Sequence, residues 1–166
     1  MPVISFEAMP ESARLWVFGA AAPVTGAARD TLLQAVDAHL AGWAAHGTPL
    51  VSSRAWRDDR FLAIAVDEAA TGASGCSIDG LFRVLTSIES RIATTLTDAG
   101  RVYWRDAQGV VQSATRPEFR TLARNGAITV DTPVFDTTVA TVGAWRTEFE
   151  RATSTSWHAR LLGATA

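Results

Sequence analysis

One cysteine, three histidines and a pair of adjacent carboxylates are the residues of this chain whose types could carry chemistry. Cys76 stands in the string TGASGCSID (71–79), between Ser74, Gly75 and Ser77, with Asp79 just beyond. At the start of a helix, free backbone N–H groups and the helix dipole stabilise negative charge, so a thiol there is a candidate nucleophile or redox sensor. The competing reading is a buried cysteine, with Ser77 and Asp79 only capping the helix. A thiol nucleophile needs a base. His158, in SWHAR (156–160), and His46 are the candidates, whereas His39 is expected on the polar surface of a helix. His46 also has a structural explanation, because a helix C-terminus favours a cationic imidazole. Asp67 and Glu68 close an apolar run, and neighbouring strand residues point to opposite faces, so at most one of them shares a site with Cys76. The catalytic candidates are therefore Cys76, His158 or His46 as base, and Asp79 or Asp67 to orient it. No His-x-x-x-His spacing supports a metal site, and no cofactor is expected.

Composition removes several function classes. All 15 basic residues are arginine, and a chain without lysine has no Schiff-base lysine and no P-loop lysine. The net charge of −2 is spread along the chain, unlike the clustered basic footprint that phosphate backbones select, so no nucleic-acid partner is expected. One cysteine forms no intrachain disulfide, which fits a reducing, cytoplasmic setting. The apolar run 15–24 follows Glu7 and Glu11, the wrong sign for a secretory n-region, and reads as a strand. No stretch approaches the roughly 18 apolar residues of a membrane span.

The spacing of apolar residues predicts the elements that would position these groups. Residues 13–19 read as a strand and 25–46 as a helix, with Leu32, Val36, Leu40 and Trp43 on one face. Residues 51–56 and 61–68 read as a hairpin with a polar tip at 57–60, the second strand apolar enough to be central. A second helix begins near Ser77 and carries Ile78, Leu81, Phe82, Leu85, Ile88, Ile92 and Leu96 on its apolar stripe. Beyond a seam at 98–101 come a hairpin over 102–112, a helix capped by Thr115 and Glu118, an extended piece at 132–136 and an amphipathic stretch near Trp145 and Phe149. The fold class is thus α+β: an antiparallel sheet with two helices in β-α-β-β-α order over 1–99, and a smaller hairpin-helix lobe with a docked tail over 100–166. Most of the six tryptophans are expected in cores, and an exposed pair would mark a partner surface.

The strings ARLWVF (13–18), WAAHGTPL (43–50), SGCSID (74–79), DTPVF (131–135) and SWHAR (156–160) resemble an uncharacterised bacterial family whose members are at times labelled ABC transporter ATPases. Asp136 stands where that family is expected to have asparagine. The label implies nucleotide hydrolysis on a P-loop, which the absence of lysine rejects. Residues 102–145 resemble bacterial modules of the GYF type, which implies a small hairpin-helix-strand lobe. The Gly-Tyr-Phe signature of peptide-binding members is absent, so their ligand is not implied. The functional expectation is a non-enzymatic cytoplasmic binding protein, with a protein or peptide partner held where the TGASGCSID loop meets the SWHAR tail. The alternative is a cysteine-dependent enzyme or thiol sensor.

Overall fold

The computed structural model describes residues 4–69 and 71–163. In the first half lie β1 (Arg14–Gly19), α1 (Gly26–Ala41), β2 (Ala44–Ala45), β3 (Thr48–Pro49), β4 (Val51–Arg57), β5 (Phe61–Asp67) and α2 (Gly75–Ile92). The second half holds β6 (Arg101–Arg105), β7 (Val111–Thr115), α3 (Arg116–Arg124), β8 (Pro133–Phe135), α4 (Val142–Glu148) and β9 (Glu150–Ala152). The fold is α+β. One antiparallel sheet has the order β1-β5-β4 and a second the order β7-β6-β8-β9. Among the described residues, no helix is long and apolar enough to cross a membrane.

Strand periodicity of two sorts the side chains into layers. Leu62, Ile64 and Val66 of β5, with Phe18 of β1, pack under α1 and α2 against Leu32, Val36, Leu81 and Leu85. The alternate residues Phe61, Ala63 and Ala65, with Leu15, enter a middle core shared with Tyr103, Phe135 and Phe149 of the second half. On the far side of the second sheet, Val102, Trp104 and Val134 pack with Phe119 of α3 and Leu161 of the tail. The order of layers is therefore helices, sheet, sheet, then α3 with the tail. Each fully buried Leu, Ile or Phe in these cores stabilises the fold by roughly 1.5–3 kcal/mol.

The halves also interlock through polar contacts. Arg60 is buried and donates to the carbonyls of Ala20 at 3.2 Å, Ala21 at 2.9 Å and Val111 at 2.9 Å, joining the end of β1 to β7. Burial lowers the pKa of its guanidinium from the ordinary value. Arg105 donates to Glu150 at 2.8 Å and reaches Asp58 at 3.3 Å, while Arg57 bonds the same glutamate, so the β4–β5 turn is tied to β6 and β9. At the N-terminal end, Arg146 of α4 donates to the carbonyls of Glu7 and Met9, both at 3.1 Å, and Phe6 meets the Trp145 ring edge-on.

Three local expectations change. α1 ends at Ala41, and residues 44–49 form a two-strand hairpin with His46 (φ 50°) and Gly47 (φ 81°) at its tip. Trp43 and Ala45 continue the apolar spacing of the helix while being buried by the hairpin instead. α2 starts at Gly75, because the Ser74 hydroxyl accepts the Ser77 N–H and the Ser77 hydroxyl accepts the Ser74 N–H. Leu96 lies past the helix, after a left-handed turn at Ala93, where the Glu89 carboxylate accepts the Leu96 and Thr97 N–H groups at 2.9 and 3.0 Å. The cap of α3 is as predicted: Thr115 and Glu118 exchange hydrogen bonds across its first turn.

Gly19 lies directly against Tyr103 of the second half. The Tyr103 hydroxyl donates to the Gly19 carbonyl at 2.7 Å, and a Cβ at Gly19 would stand 2.4 Å from the tyrosine ring. Gly19→Ala should cost about 1–3 kcal/mol through forced repacking, and Tyr103→Phe about 1 kcal/mol through the lost bond. Urea unfolding of both variants, with the larger loss at Gly19, is the check.

Candidate functional site

Cys76 is the second residue of α2 and is exposed. Its helix mouth is tied to the hairpin after α1, because the Trp43 indole N–H donates to the Ser77 carbonyl at 2.8 Å. His39 is not a surface residue as expected: it is half-buried between α1 and α2, beside Trp43 and against Gly80. Burial lowers its pKa, and its Nε2 has no partner among the described residues. His46 is exposed at the hairpin tip, beyond the end of the helix. The Asp67 carboxylate accepts the Ala69 N–H at 3.0 Å, Glu68 pairs with Arg14 at 3.4 Å, and Asp79 is exposed on α2.

His158 lies in the opposite outer layer. It is 1% exposed, stacked on Trp157 at 3.9 Å, and faces Phe119 of α3. Its Nδ1 shares a 2.7 Å hydrogen bond with the Ser156 hydroxyl, and its Nε2 has no partner among the described residues. The tail does dock, but onto α3 and the loop at 136–138: the Trp157 indole donates to the Asp136 carboxylate at 3.2 Å, with Arg151 at 3.5 Å from the same group. A cysteine–histidine centre is therefore not assembled. Both sheets stand between Cys76 and His158, and no hydrogen bond joins Cys76 to His39, His46 or His158 among the described residues. The physical reason is that the apolar anchors of the tail, Leu161 and Trp157, complete the core under α3. Nor does any group of three His, Cys, Asp or Glu gather to hold a metal among the described residues.

A different candidate site lies along β1. Leu15 donates outward to the Ala140 carbonyl at 2.9 Å, while Arg14, Trp16 and Phe18 form the ladder with Val66, Ile64 and Leu62 of β5. Alternation then turns the N–H and C=O groups of Val17 and Gly19 away from β5. Among the described residues, the segment running beside this edge is 137–142, which bonds Leu15 through Ala140 and Ala13 through Val142 and then departs, because Asp136 turns the chain through its bonds to Thr138. Beyond Leu15 the edge of β1 thus meets no further strand among the described residues, and the Gly19 carbonyl alone is taken, by Tyr103.

A cleft opens there. Its outer part, about 270 Å³, lies between Trp16–Phe18, Phe82 and the segment 137–140. An inner part, about 170 Å³, continues between Gly19, Phe82, Tyr103 and residues 96–99. Phe82, expected in the buried stripe of α2, is instead 40% exposed and meets Phe18 edge-on at 5.3 Å. Tyr103 is held neutral, its phenol pushed up to about 12 chiefly by burial. Sequence reasoning missed Phe82, Asp98, Thr137 and Thr138 as site residues. The available signal was the uncharged run LWVFG (15–19), an edge without the charge that usually guards one.

The opposite edge of the sheet contrasts with it. Arg54 stands mid-strand in β4, bound by Asp37 through two bonds of 2.7 and 2.8 Å. Residues 4–7 border the same edge around a broad, shallow hollow of about 680 Å³. A charge in the middle of an edge strand opposes further pairing.

Burial of His158 has a measurable consequence. Its pKa falls from the ordinary 6.5 to about 4, first because burial penalises the cation, with Arg116 and Arg151 adding repulsion and Asp136 opposing it. The folded state therefore favours the neutral ring, and the unfolded chain binds more protons between pH 6.5 and 4. Stability is full above that window and falls by about 3 kcal/mol as the pH descends through it. Urea midpoints measured from pH 7 to 4 should show this loss, and His158→Phe should flatten it. No family model, curated protein or solved structure matches this chain.

Proposed function

We propose that the chain is a non-enzymatic binding protein that takes an extended polypeptide segment along the open edge of β1. The observation that supports this reading is the outward set of Val17 and Gly19 backbone groups, facing a cleft floored by Phe18 and Phe82. Main-chain groups at a sheet edge supply affinity for any extended backbone, and the adjoining pockets select its side chains. From Leu15 to Gly19 the edge offers about 13 Å at about 3.3 Å per residue, room for roughly three or four residues of a guest. Phe82, a large apolar side chain left 40% exposed beside the unpaired strand groups, suits such a surface. The wall across from β1 comes from the second half, at Thr137 and Thr138. The binding surface expected from the sequence is thereby moved from the α2 mouth and the tail to the seam between the two sheets.

The experiment uses a soluble extended probe, the C-amidated tetrapeptide valyl-threonyl-valyl-threonine amide, at millimolar concentration. Its addition should shift the amide resonances of Val17, Phe82 and Thr138 and leave those of α3 unmoved. Val17→Pro removes an outward N–H without deleting a ladder bond, so it should abolish the shifts at Phe82 and Thr138 with less than about 1 kcal/mol change in stability. Phe82→Glu, on the exposed face, is an independent variant with the same expected loss. Shifts confined to other surfaces, or none at all, would overturn the reading.

A further inference from the structure

Most of the polar side chains at the inner end of the β1 cleft present acceptors. Thr97 and Thr138 line this end, and each hydroxyl spends its proton on a carboxylate, Thr97 on Glu89 at 2.8 Å and Thr138 on Asp136 at 2.5 Å. A hydroxyl that has donated its proton presents only lone pairs to a guest. Asp98 is the one charged side chain lining this end. One of its oxygens accepts the Gly100 N–H at 3.0 Å, and the other has no partner among the described residues. Tyr103, which could have donated, gives its proton to the Gly19 carbonyl. An anion would meet the Asp98 carboxylate there, with the Thr137 hydroxyl as the one side-chain donor not spent on a partner among the described residues, while a group with several donors and a positive charge would be matched by Asp98, Thr97 and Thr138.

We propose that the guest enters this cleft by its free N-terminus, with the α-ammonium held by Asp98, Thr97 and Thr138 and the following residues paired to the edge of β1. This deepens the strand-addition reading and rests on it. An α-ammonium is preferred to a side-chain ammonium because the Val17 N–H and C=O adjoin the acceptors, where the backbone next to an N-terminus would lie. The direction of the guest follows. Its first residue sits beside Gly19 and the later ones run toward Arg14, the one cation lining the outer part, so it lies antiparallel to β1, as β5 does. The first side chain meets Phe82 and Leu96, and an apolar residue suits it.

The test compares three forms of the same C-amidated tetrapeptide by titration followed in amide spectra: free amine, N-acetylated, and N-acetylated with lysine as its first residue. The free amine should bind about tenfold more tightly than the acetylated form, the scale of a charge-assisted bond. Asp98→Asn should weaken the free amine five- to tenfold and leave the acetylated peptide unchanged, at an unaltered melting temperature. Equal affinity of the free and acetylated forms, with Val17 still shifted, would overturn the N-terminal assignment and leave strand addition standing. If lysine restores the affinity lost on acetylation, a side-chain ammonium is the ligand and the assignment also fails. Silence from all three forms overturns both readings.

Discussion

Phe61 to Val66 of β5 have no exposed surface on either face, and the rest of the structure is arranged around that condition. A strand buried on both sides needs an apolar layer above and another below. α1 and α2 supply the first, and the aromatic cluster of Tyr103, Phe135 and Phe149 supplies the second. The second half of the chain is thus a lid on the first sheet, and the two halves share a hydrophobic core. Arg60 and the Arg57, Asp58, Arg105 and Glu150 contacts fix the lid where that core requires it. Both faces of the first sheet are thus consumed, and the proposed strand addition is confined to its edges.

The two edges differ in charge and in cover. β4 carries Arg54 in its middle and is bordered by residues 4–7. β1 has no charged residue between Arg14 and Gly19, and its neighbouring segment leaves after Ala140. An open, uncharged strand edge is an aggregation hazard unless access to it is limited. Here the cleft walls, Phe82 on one side and Thr137 and Thr138 on the other, restrict what enters. At its inner end the side chains of Asp98, Thr97 and Thr138 face inward as acceptors.

Much of the architecture was legible because it is written in short-range spacing. The alternation of β1, the continuous apolar run of β5 and the stripe of Leu81, Leu85, Ile88 and Ile92 need no knowledge of neighbours. Where the reading failed, a long-range contact decided the outcome. Trp43 is as compatible with another turn of helix as with a hairpin, until its indole finds the Ser77 carbonyl. Phe82 matches the apolar stripe in type, yet its position beside the β1 edge leaves it in water. The proposed meeting of Cys76 with His158 required that the tail return to α2, and the apolar anchors Trp157 and Leu161 took it to α3 instead. Strand order in a sheet, and hence which edge is free, is likewise invisible to periodicity.

Amide hydrogen exchange in the protein without added peptide tests the central claim directly, since it reads the backbone groups one by one. With an open edge, Trp16 and Phe18, bonded to β5, and Leu15, bonded to Ala140, should exchange slowly, while Val17 between them exchanges at least about tenfold faster. Uniform protection from Leu15 to Phe18 would show that the edge is already covered and would contradict the account.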